Sequence, residues 1–458
     1  MQVAIEPVRK QGKTLKINGV ARYTAPKGSA LVVDHAKALQ IILASESSSE
    51  FKPHIREELP AIVSHWLQNP KEAPILLDYS FAEKWLHTLR TYTQLERHNP
   101  ASGPIKKTKT PKPVHIDFSA LPFQPVMKPK FTFIDLFAGI GGFRIALEEL
   151  GGKCVFSSEW DRHAKETYLQ NYGEVPFGDI TKFTKPNATS HIPTKNIPNH
   201  DILCGGFPCQ PFSQAGRQLG FEDARGTLFF DILTIAKERR PKVLFLENVK
   251  RLKGHDKGRT FKVICNALRE IGYKVYAKVV RAYDHGVPQN RERIFIVAFS
   301  NAIEFQFPKE NRHSIYKNVG EVLEKKPDAK YTISDRMWEG HQRRLQAHRN
   351  KGNGFGYSLF GSRDEYVNTI SARYWKDGSE ILIDQGKDNP RILTPREAAR
   401  IQGYPEDFQP HSSKRHAYQQ FGNSVAVPVI KAIGENILDS LTKSSPAKEL
   451  LSMEPVIH

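Results

Sequence analysis

The stretch Gly205-Gly206-Phe207-Pro208-Cys209-Gln210-Pro211-Phe212-Ser213 decides how the fold of this chain is interpreted. The apolar run Asp201–Cys204 before it is typical of a buried parallel strand. Ligands collect in crevices beyond the carboxyl ends of such strands. Pro208 fixes its own φ and favours an extended Phe207, so Cys209 lies on a defined loop. The stretch therefore predicts an α/β fold with a thiol at the mouth of a mostly parallel sheet.

A second strand pattern lies downstream, at Val243–Val249, and carries the carboxylate of Glu247 near its end. We interpret Cys209 as a nucleophile, because a deprotonated thiol is a strong one, and Glu247 as its acid partner. The plainer interpretations are a buried inert thiol and a carboxylate that only ends a strand. The remaining cysteines are interpreted as buried structural thiols: Cys154, Cys204 and Cys265. Their spacings match no metal-ligand pattern, so we expect neither a metal site nor disulfides.

A strand, a glycine turn and a helix are predicted upstream, at Phe131–Phe137, Ala138–Phe143 and Arg144–Leu150. This combination is typical of a nucleotide site, because backbone N–H groups at the start of a helix bind the ligand. Glu159 ends the next strand pattern, twenty residues after Gly139, where a carboxylate can accept both ribose hydroxyls.

The glycine turn departs from the NAD-binding pattern, because Arg144 occupies the place of the third glycine. This departure weakens the case for a dinucleotide, while a mononucleoside cofactor such as S-adenosylmethionine remains suitable. We interpret Gly178-Asp179-Ile180 as the end of a third strand. Asp135 and Asp179 have the plainer alternative of capping a helix or a turn.

Two later strand patterns, Val275–Arg281 and Arg293–Ala298, flank a polar, basic segment. Alternate residues of a strand point to the same face, so Arg291 and Arg293 would both face an anionic site. The alternative is a salt bridge at a surface edge.

The alternation of strands and helices ends near Ser300, and residues 301–389 become rich in Gly, Arg, Tyr and Asn. Polar, basic and aromatic residues on loops suit contacts to base edges and phosphates, although a loop-rich structural domain is the alternative. A helix is then predicted with Thr394 as N-cap, Pro395 at its first position and Glu397 in its first turn.

Residues 1–100 are predicted to form a mostly helical accessory module. Apolar residues recur at helical spacing in Val32–Ile42, Pro53–Trp66 and Tyr79–Leu95, and the expected core anchors are Trp66, Trp85 and Leu89. Two roles stay open for the module: it binds DNA or dimerises, or it caps the main domain without touching a ligand. Residues 101–130 are predicted to be a Lys/Pro-rich linker, in which Ile105–Pro113 either tracks phosphates or serves as a spacer.

The composition favours a polyanionic partner, because the 458 residues carry a formal net charge of +18. The alternative is charge that only keeps the protein soluble. The chain has no signal-peptide pattern and no run of the ~18 apolar residues that a membrane span needs. We therefore expect a cytoplasmic protein without a membrane partner.

In this order the motifs resemble those of the DNA cytosine-5 methyltransferases, over about Phe131–Leu441. Two stretches match the cofactor motifs of that family: Phe137–Gly142 matches the cofactor loop, and Glu159-Trp160 with Asp179 matches the residues that contact ribose and adenine. Three stretches match the catalytic motifs: Pro208-Cys209-Gln210 the catalytic loop, Glu247-Asn248-Val249 the acid motif, and Gln289, Arg291 and Arg293 the paired-arginine motif. The stretch Gly422-Asn423-Ser424-Val425 matches the closing motif.

The resemblance implies a Rossmann-like methyltransferase sheet with helices on both faces and S-adenosylmethionine as cofactor. The residues implied to contact the cofactor are Phe137, Gly139, Gly141, Gly142, Glu159, Trp160, Asp179, Ile180 and Asn423.

The resemblance also implies four catalytic residues. Cys209 would add to carbon 6 of cytosine, and Glu247, its pKa raised by burial, would protonate or hydrogen-bond ring nitrogen 3. Arg293 would hold the carbonyl oxygen of the base, and Arg291 would steady the catalytic loop or a phosphate. The base must be flipped out of the duplex, and Phe212–Arg225 would close over it as a lid.

The implied domain order is a catalytic domain at residues 131–302, a target recognition domain at 303–408, a return to the catalytic domain at 409–442 and a tail at 443–458. Gly352–Tyr357 and Ser371–Leu382 resemble recognition domains of family members that read sites beginning with two cytosines, such as CCGG and CCWGG.

The implied function is sequence-specific methylation of double-stranded DNA by a monomer. The enzyme would protect DNA from a cognate restriction endonuclease or act as an orphan methylase. Two alternatives stay open: an RNA (tRNA) cytosine-5 methyltransferase, and a DNA-binding regulator that acts through the N-terminal module.

Overall fold

The computed structural model describes residues 14–17, 20–23, 31–46, 53–70, 79–97, 114–186, 191–208, 228–354 and 356–444. Cys209, the predicted lid Phe212–Arg225 and the linker segment Ile105–Pro113 lie outside these residues, as does nearly all of the predicted tail.

The N-terminal module combines short strands with three amphipathic helices in its described part. Its elements are β1 (Thr14–Ile17), β2 (Val20–Tyr23), β3 (Leu31–Asp34), α1 (His35–Ser45), α2 (Pro53–Gln68), α3 (Tyr79–Arg97) and β4 (Val114–Asp117). β1 and β2 pair antiparallel, and β3 pairs parallel with β4. The predicted core anchors are confirmed: Trp66, Trp85 and Leu89 are buried, and the two indole rings meet edge to face at 5.1 Å.

Two predicted boundaries in this region are wrong. The helix predicted over Val32–Ile42 begins only at His35, because the preceding residues form β3 and the Asp34 side chain accepts a hydrogen bond from the Lys37 backbone N–H at 3.0 Å. The predicted linker 101–130 contains β4, whose apolar side chains are fully buried. The Pro/Lys-rich composition of the whole stretch hid a four-residue alternating pattern.

A six-stranded sheet forms the centre of the main domain. Its strands are β5 (Phe131–Leu136), β6 (Gly152–Ser158), β7 (Ile202–Gly206), β8 (Val243–Val249), β9 (Lys274–Arg281) and β10 (Glu292–Phe299). The spatial order is β6-β5-β7-β8-β10-β9. The first four strands are parallel, and β10 runs antiparallel to both β8 and β9. The predicted mostly parallel sheet is confirmed.

Apolar residues cover both faces of this sheet. Along β8, Leu244 and Leu246 belong to the core cluster under the N-terminal module, whereas Val243 and Phe245 belong to the cluster on the other face. A strand buried on both faces has no polar alternation, which explains the continuous apolar run in the sequence.

The helices and the remaining strands complete the main domain. They are α4 (Gly142–Glu149), α5 (Arg162–Tyr172), α6 (Thr181–Thr184), α7 (Leu228–Arg239), α8 (Arg259–Glu270), α9 (Asp335–Asn350), β11 (Leu359–Phe360), β12 (Leu382–Gln385), β13 (Asp388–Ile392), α10 (Pro395–Ile401), α11 (Lys414–Asn423) and α12 (Val427–Lys443). No helix in the described part of the chain is long and apolar enough to cross a membrane.

Two further predictions need correction. Gly178-Asp179-Ile180 does not end a strand, because Phe177 makes only an isolated bridge to Ser158 and α6 follows at once. The recognition domain was expected to extend to residue 408, but Tyr404 packs against Phe421 of α11 and its hydroxyl contacts Ser424. We therefore propose that the recognition domain ends before α10.

Candidate active site

Four of the predicted site elements lie at or just beyond the carboxyl ends of the four parallel strands, which share one edge of the sheet. The glycine loop follows β5, Glu159 follows β6 and Pro208 follows β7, while Glu247 lies near the end of β8. Ligands bind at this edge in open α/β folds. The fold thus brings the predicted cofactor and acid residues to one edge.

The loop after β5 has one open face and one packed face. Phe137 and Gly139 adopt left-handed backbone, with φ of 56° and 55°. A Cβ on Gly139 would meet no atom within 4 Å, whereas a Cβ on Gly141 would lie 2.5 Å from the Tyr172 ring. Gly141 therefore serves packing, and Gly139 leaves room for a ligand.

Glu159 joins this loop to the end of β6. Its two carboxylate oxygens accept the backbone N–H groups of Gly139 and Asp161, each at 2.8 Å. Burial raises the pKa of Glu159, and these backbone hydrogen bonds oppose the shift. The adjacent Trp160 side chain is 84% exposed. A carboxylate and a flat apolar ring stand side by side at the open face of the loop.

The segment with Asp179 and Ile180 runs beside β6. The Phe177 backbone N–H donates to the Ser157 carbonyl at 2.9 Å, which fixes the start of the segment. Asp179 caps the following turn, because its carboxylate accepts the Thr181 N–H at 2.9 Å, yet it remains exposed. Ile180 is buried in the core. The capping alternative for Asp179 is therefore correct, and its exposure leaves the carboxylate accessible to a ligand as well.

The predicted closing motif packs against the glycine loop. A Cβ on Gly142 would lie 2.6 Å from Val425 and 3.2 Å from the Ser424 hydroxyl oxygen. Asn423, at the end of α11, is exposed beside this contact. Residues about 280 positions apart in the sequence thus meet beside the glycine loop.

Glu247 and Arg293 form an ion pair across two antiparallel strands. The Arg293 Nε lies 3.0 Å from Glu247 Oε1, and the side chains are 18% and 11% exposed. Gly206 stands opposite Glu247 in the register of β7 and β8, and a Cβ there would lie 3.2 Å from Glu247 Oε2. Burial raises the pKa of Glu247, and the guanidinium groups of Arg293 and Arg291 oppose the shift. This carboxyl group can therefore hold a proton more readily than a solvated one.

The entry to the Cys209 loop is tied to the strand of Glu247. The Asn248 side-chain amide donates to the Phe207 carbonyl at 2.8 Å and is buried. No role for Asn248 beyond its place in the acid motif is predicted from the sequence. It fixes the backbone two residues before Cys209.

The other three cysteines behave as predicted. Cys154, Cys204 and Cys265 are free and buried, and burial raises the pKa of each thiol. Asp135, which had capping as an alternative, lies inside β5 and is buried, and burial raises its pKa well above the usual range.

The prediction that Arg291 and Arg293 face one anionic site is wrong, whereas the expectation that Arg291 steadies the catalytic loop falls on residues outside the described part of the chain. Arg291 precedes β10 and is buried, and its guanidinium donates to the carbonyl oxygens of Ile370, Gly422 and Ser424. Burial lowers the pKa of Arg291 to about 9, and the charge of Arg293 adds to this effect. Arg291 therefore joins the recognition region to the closing motif and does not share one anionic face with Arg293.

Residues 131–439 match the family model described as C-5 cytosine-specific DNA methylase. The chain belongs to this family. It is an enzyme, a DNA (cytosine-5)-methyltransferase. It is 55% identical to Type II methyltransferase M1.ScrFI of Lactococcus lactis subsp. cremoris over 329 residues, which cover 70% of this chain and 82% of that protein. It is 52% identical to Type II methyltransferase M.DsaV of Dactylococcopsis salina over 331 residues, 71% of this chain and 91% of that protein.

The fold is also found in a solved methyltransferase structure. The Entamoeba histolytica methyltransferase EhMeth has a TM-score of 0.55 at 20% sequence identity, and the match covers 68% of this chain and 98% of that one. This likeness confirms the predicted methyltransferase sheet.

An ionic network behind the cofactor side of this methyltransferase was missed by the sequence analysis. Arg144 is 2% exposed, and its guanidinium contacts Glu148 at 2.9 Å, Glu174 at 3.0 Å and the Gln68 side-chain oxygen at 3.0 Å. His65 of α2 approaches the same Glu174 at 3.2 Å. The arginine in the place of a third glycine thus holds the N-terminal module, a role that nothing in the local sequence indicates.

His163, Glu166 and His411 form a group of possible metal ligands in the described part of the methyltransferase. His411 Nδ1 accepts the Ser413 backbone N–H at 2.9 Å, so its Nε2 carries the proton and faces Glu166 at 3.4 Å. This tautomer suits a surface hydrogen-bond network and does not leave Nε2 available for a metal.

Proposed function

We propose that this methyltransferase transfers a methyl group from S-adenosylmethionine to carbon 5 of a flipped-out cytosine within a short duplex DNA sequence. The observation that carries the proposal is the Glu247–Arg293 pair. Glu247 lies opposite Gly206 in the sheet, and Gly206 precedes Cys209 by three positions in the sequence. The names of the relatives, both Type II methyltransferases, support a role beside a restriction endonuclease.

The cofactor side fits S-adenosylmethionine. Gly139 leaves open space, Glu159 keeps free lone pairs for ribose hydroxyls, and Trp160 offers an exposed ring for an adenine face. The residues that would form the cofactor site are Phe137, Gly139, Gly141, Gly142, Glu159, Trp160, Asp179, Ile180 and Asn423, and of these Gly141 and the buried Ile180 act through packing. When bound, S-adenosylmethionine supplies an electrophilic methyl group.

Cys209 would act as the nucleophile. Carbon 5 of cytosine is a poor nucleophile, and addition of a thiolate to carbon 6 makes the ring an enamine with electron density at carbon 5. After carbon 5 is methylated, loss of its proton and expulsion of the Cys209 thiolate restore the aromatic ring. No other cysteine suits this role among the described residues, since Cys154, Cys204 and Cys265 are buried with raised pKa values.

Glu247 and Arg293 would stabilise the charge that develops on the base. A proton held by Glu247 can be donated to ring nitrogen 3 as the thiolate attacks, because burial raises the pKa of this carboxyl group. Arg293 is partly exposed and would donate a hydrogen bond to the carbonyl oxygen of the base.

A basic groove next to this edge suits the DNA backbone. It has a volume of about 1000 Å³ and begins directly after β8. Its lining carries Lys250, Arg251, Lys253 and His255 beside two acidic residues, Asp256 and Glu292, and Glu292 pairs with Lys250 at 2.8 Å. The net charge of +18 agrees with a phosphate-binding surface. We further propose that residues 303–393 contact the bases, that the site begins with two cytosines, and that the enzyme acts as a monomer.

The test is sequencing of plasmid DNA, by bisulfite or nanopore methods, from cells that express the full chain, Cys209→Ser or Cys265→Ser. We expect methylated cytosine in one short motif with the wild type and with the Cys265 control, and none with Cys209→Ser. Unmethylated plasmid from cells with folded wild-type protein would contradict the proposal. The RNA alternative is not proposed, because the family model that matches describes DNA methylases.

A further inference from the structure

Helix α2 of the N-terminal module lies against the segment that carries Asp179 and Ile180. The Ser64 hydroxyl accepts the Val175 backbone N–H at 2.9 Å, and His65 Nε2 accepts the Ser157 N–H at 3.2 Å. The His65 ring also lies 4.7 Å from the Phe177 ring. This face of α2 therefore packs along both β6 and the segment beside it.

Glu58 of α2 contacts this segment at the residue just before Asp179. It is 2% exposed, and its Oε2 accepts the Gly178 backbone N–H at 2.9 Å. Its Oε1 accepts from Lys182 Nζ, also at 2.9 Å. One buried carboxylate thus holds both ends of the five residues from Gly178 to Lys182.

The contact between Glu58 and Gly178 is so close that it depends on glycine at position 178. A Cβ on Gly178 would lie 2.8 Å from Glu58 Oε1, so only glycine allows the carboxylate to approach the backbone. On its other side, the Gly178 carbonyl accepts the Ser158 hydroxyl at 2.7 Å. The backbone before Asp179 is therefore fixed between α2 and the end of β6.

We propose that the N-terminal module is a part of the cofactor site, with Glu58 as the positioning residue for the Gly178–Lys182 segment. The inference rests on the proposed function, because Asp179 and Ile180 are assigned there to the cofactor. Under this inference the N-terminal module does more than cover the sheet, because it positions the Gly178–Lys182 segment. Glu58 does not touch the cofactor itself, so it sets the affinity and not the chemical step.

The test compares Glu58→Ala, Glu58→Gln and Glu57→Ala in the full chain. Glu57 is the matched control, because its side chain is 67% exposed and pairs with the same Lys182 at 3.0 Å, whereas the Gly178 N–H donates to Glu58. Binding of S-adenosylmethionine is measured by calorimetry without DNA, and kcat, both KM values and the unfolding midpoint are measured beside it.

We expect Glu58→Ala to weaken cofactor binding by about tenfold, because a charge-assisted hydrogen bond to a buried backbone donor is lost. KM for the cofactor should rise in parallel, with kcat and KM for DNA within about twofold. Glu58→Gln keeps an oxygen acceptor for Gly178 and should recover most of the affinity. Glu57→Ala should match the wild type.

Two results would overturn the inference. One is unchanged cofactor affinity in Glu58→Ala; the other is a lower kcat and unfolding midpoint with an unchanged cofactor KM, which would show a purely structural role. Because binding is measured without DNA, a wild type that binds the cofactor but methylates no DNA would contradict only the proposed function, and the affinities of the variants would still decide this inference.

Discussion

Two groups of arginine and glutamate, one under the N-terminal module and one at the edge of the sheet, show what separates a structural ion pair from the pair proposed as catalytic. At the N-terminal module, Arg144 contacts two carboxylates and an amide oxygen and is almost fully buried. At the sheet edge, Glu247 contacts Arg293 through a single oxygen, and both side chains keep some exposure. In the first group Arg144 and Glu174 are closed off from solvent, whereas Arg293 and Glu247 keep 18% and 11% exposure. Burial raises the pKa of a carboxyl group in both places, that of Glu148 to about 7 and that of Glu247.

The difference teaches that access to solvent at the sheet edge, more than the residue types or a raised pKa, separates the pair proposed as catalytic from the structural one. A buried charge with several partners stabilises one arrangement and is costly to disturb. A carboxyl group with one partner at an open edge can exchange a proton with a ligand.

The largest expected effect is that of Glu247→Gln on the rate. The amide keeps the shape and an oxygen for Arg293 but cannot donate a carboxyl proton, so kcat should fall about a thousandfold. The free energy of unfolding should stay within about 1 kcal/mol, because Arg293 is partly exposed to solvent and still donates to the amide oxygen. Steady-state methylation assays and urea unfolding check both values. If the variant kept more than a tenth of the wild-type kcat, Glu247 would not be a participant in the chemical step.

The next effect is that of Arg144→Met on stability. It leaves Glu148 and Glu174 buried without their cation, so the free energy of unfolding should fall by about 3 kcal/mol. Urea unfolding measures the loss, and kcat measured well below the unfolding midpoint should stay within about threefold of the wild type. A stable Arg144→Met protein with a greatly reduced kcat would reverse the roles assigned to the two pairs.

The N-terminal module should also make the free energy of unfolding depend on pH in the acid range. Burial lowers the pKa of His35 to about 4 from its usual 6.5. Between these values the unfolded chain binds a proton that the folded chain does not, so stability is lost as the pH falls from 6.5 towards 4. At pH 5 this effect is about 2 kcal/mol. Unfolding free energies at pH 7 and pH 5 should therefore differ less in His35→Gln than in the wild type. An equal difference in both proteins would contradict the assignment.

The smallest expected effect concerns a third carboxylate, Glu397, which is fully buried and bound by Arg391 through both oxygens. It also completes a capping box, in which the Thr394 hydroxyl accepts the Glu397 N–H at 3.1 Å. Thr394→Ala should cost about 1 kcal/mol of stability and leave kcat unchanged. Thermal unfolding beside the methylation assay measures both, and a loss of activity without a loss of stability would argue against a purely structural role.

Elements with a strong local pattern could be predicted from the sequence. The strand Val243–Val249 matches β8 residue for residue, because a strand buried on both faces is a continuous apolar run. The cap at Thr394 was also predicted, since capping depends on neighbours within one turn. The edge that unites Glu159 and Glu247 followed from the parallel strand order.

Contacts between distant segments could not be predicted. Arg291 was placed beside Arg293 by alternation, but alternation applies only within a strand, and Arg291 precedes β10. The hydrogen bond from the Gly178 N–H to Glu58 joins residues 120 positions apart, and no local sequence pattern predicts such a contact. A short buried strand such as β4 was hidden by its Pro- and Lys-rich surroundings.

The most direct test of the central claim, that Cys209 is the nucleophile at the edge of Glu247 and Arg293, uses duplex DNA with 5-fluorocytosine at the methylated position. Fluorine cannot leave carbon 5 as a proton does, so the covalent adduct should persist. We predict a denaturation-resistant protein–DNA complex that requires S-adenosylmethionine, maps to the peptide with Cys209 and is absent from Cys209→Ser. An adduct on Cys154, Cys204 or Cys265, or methylation by Cys209→Ser, would contradict the account.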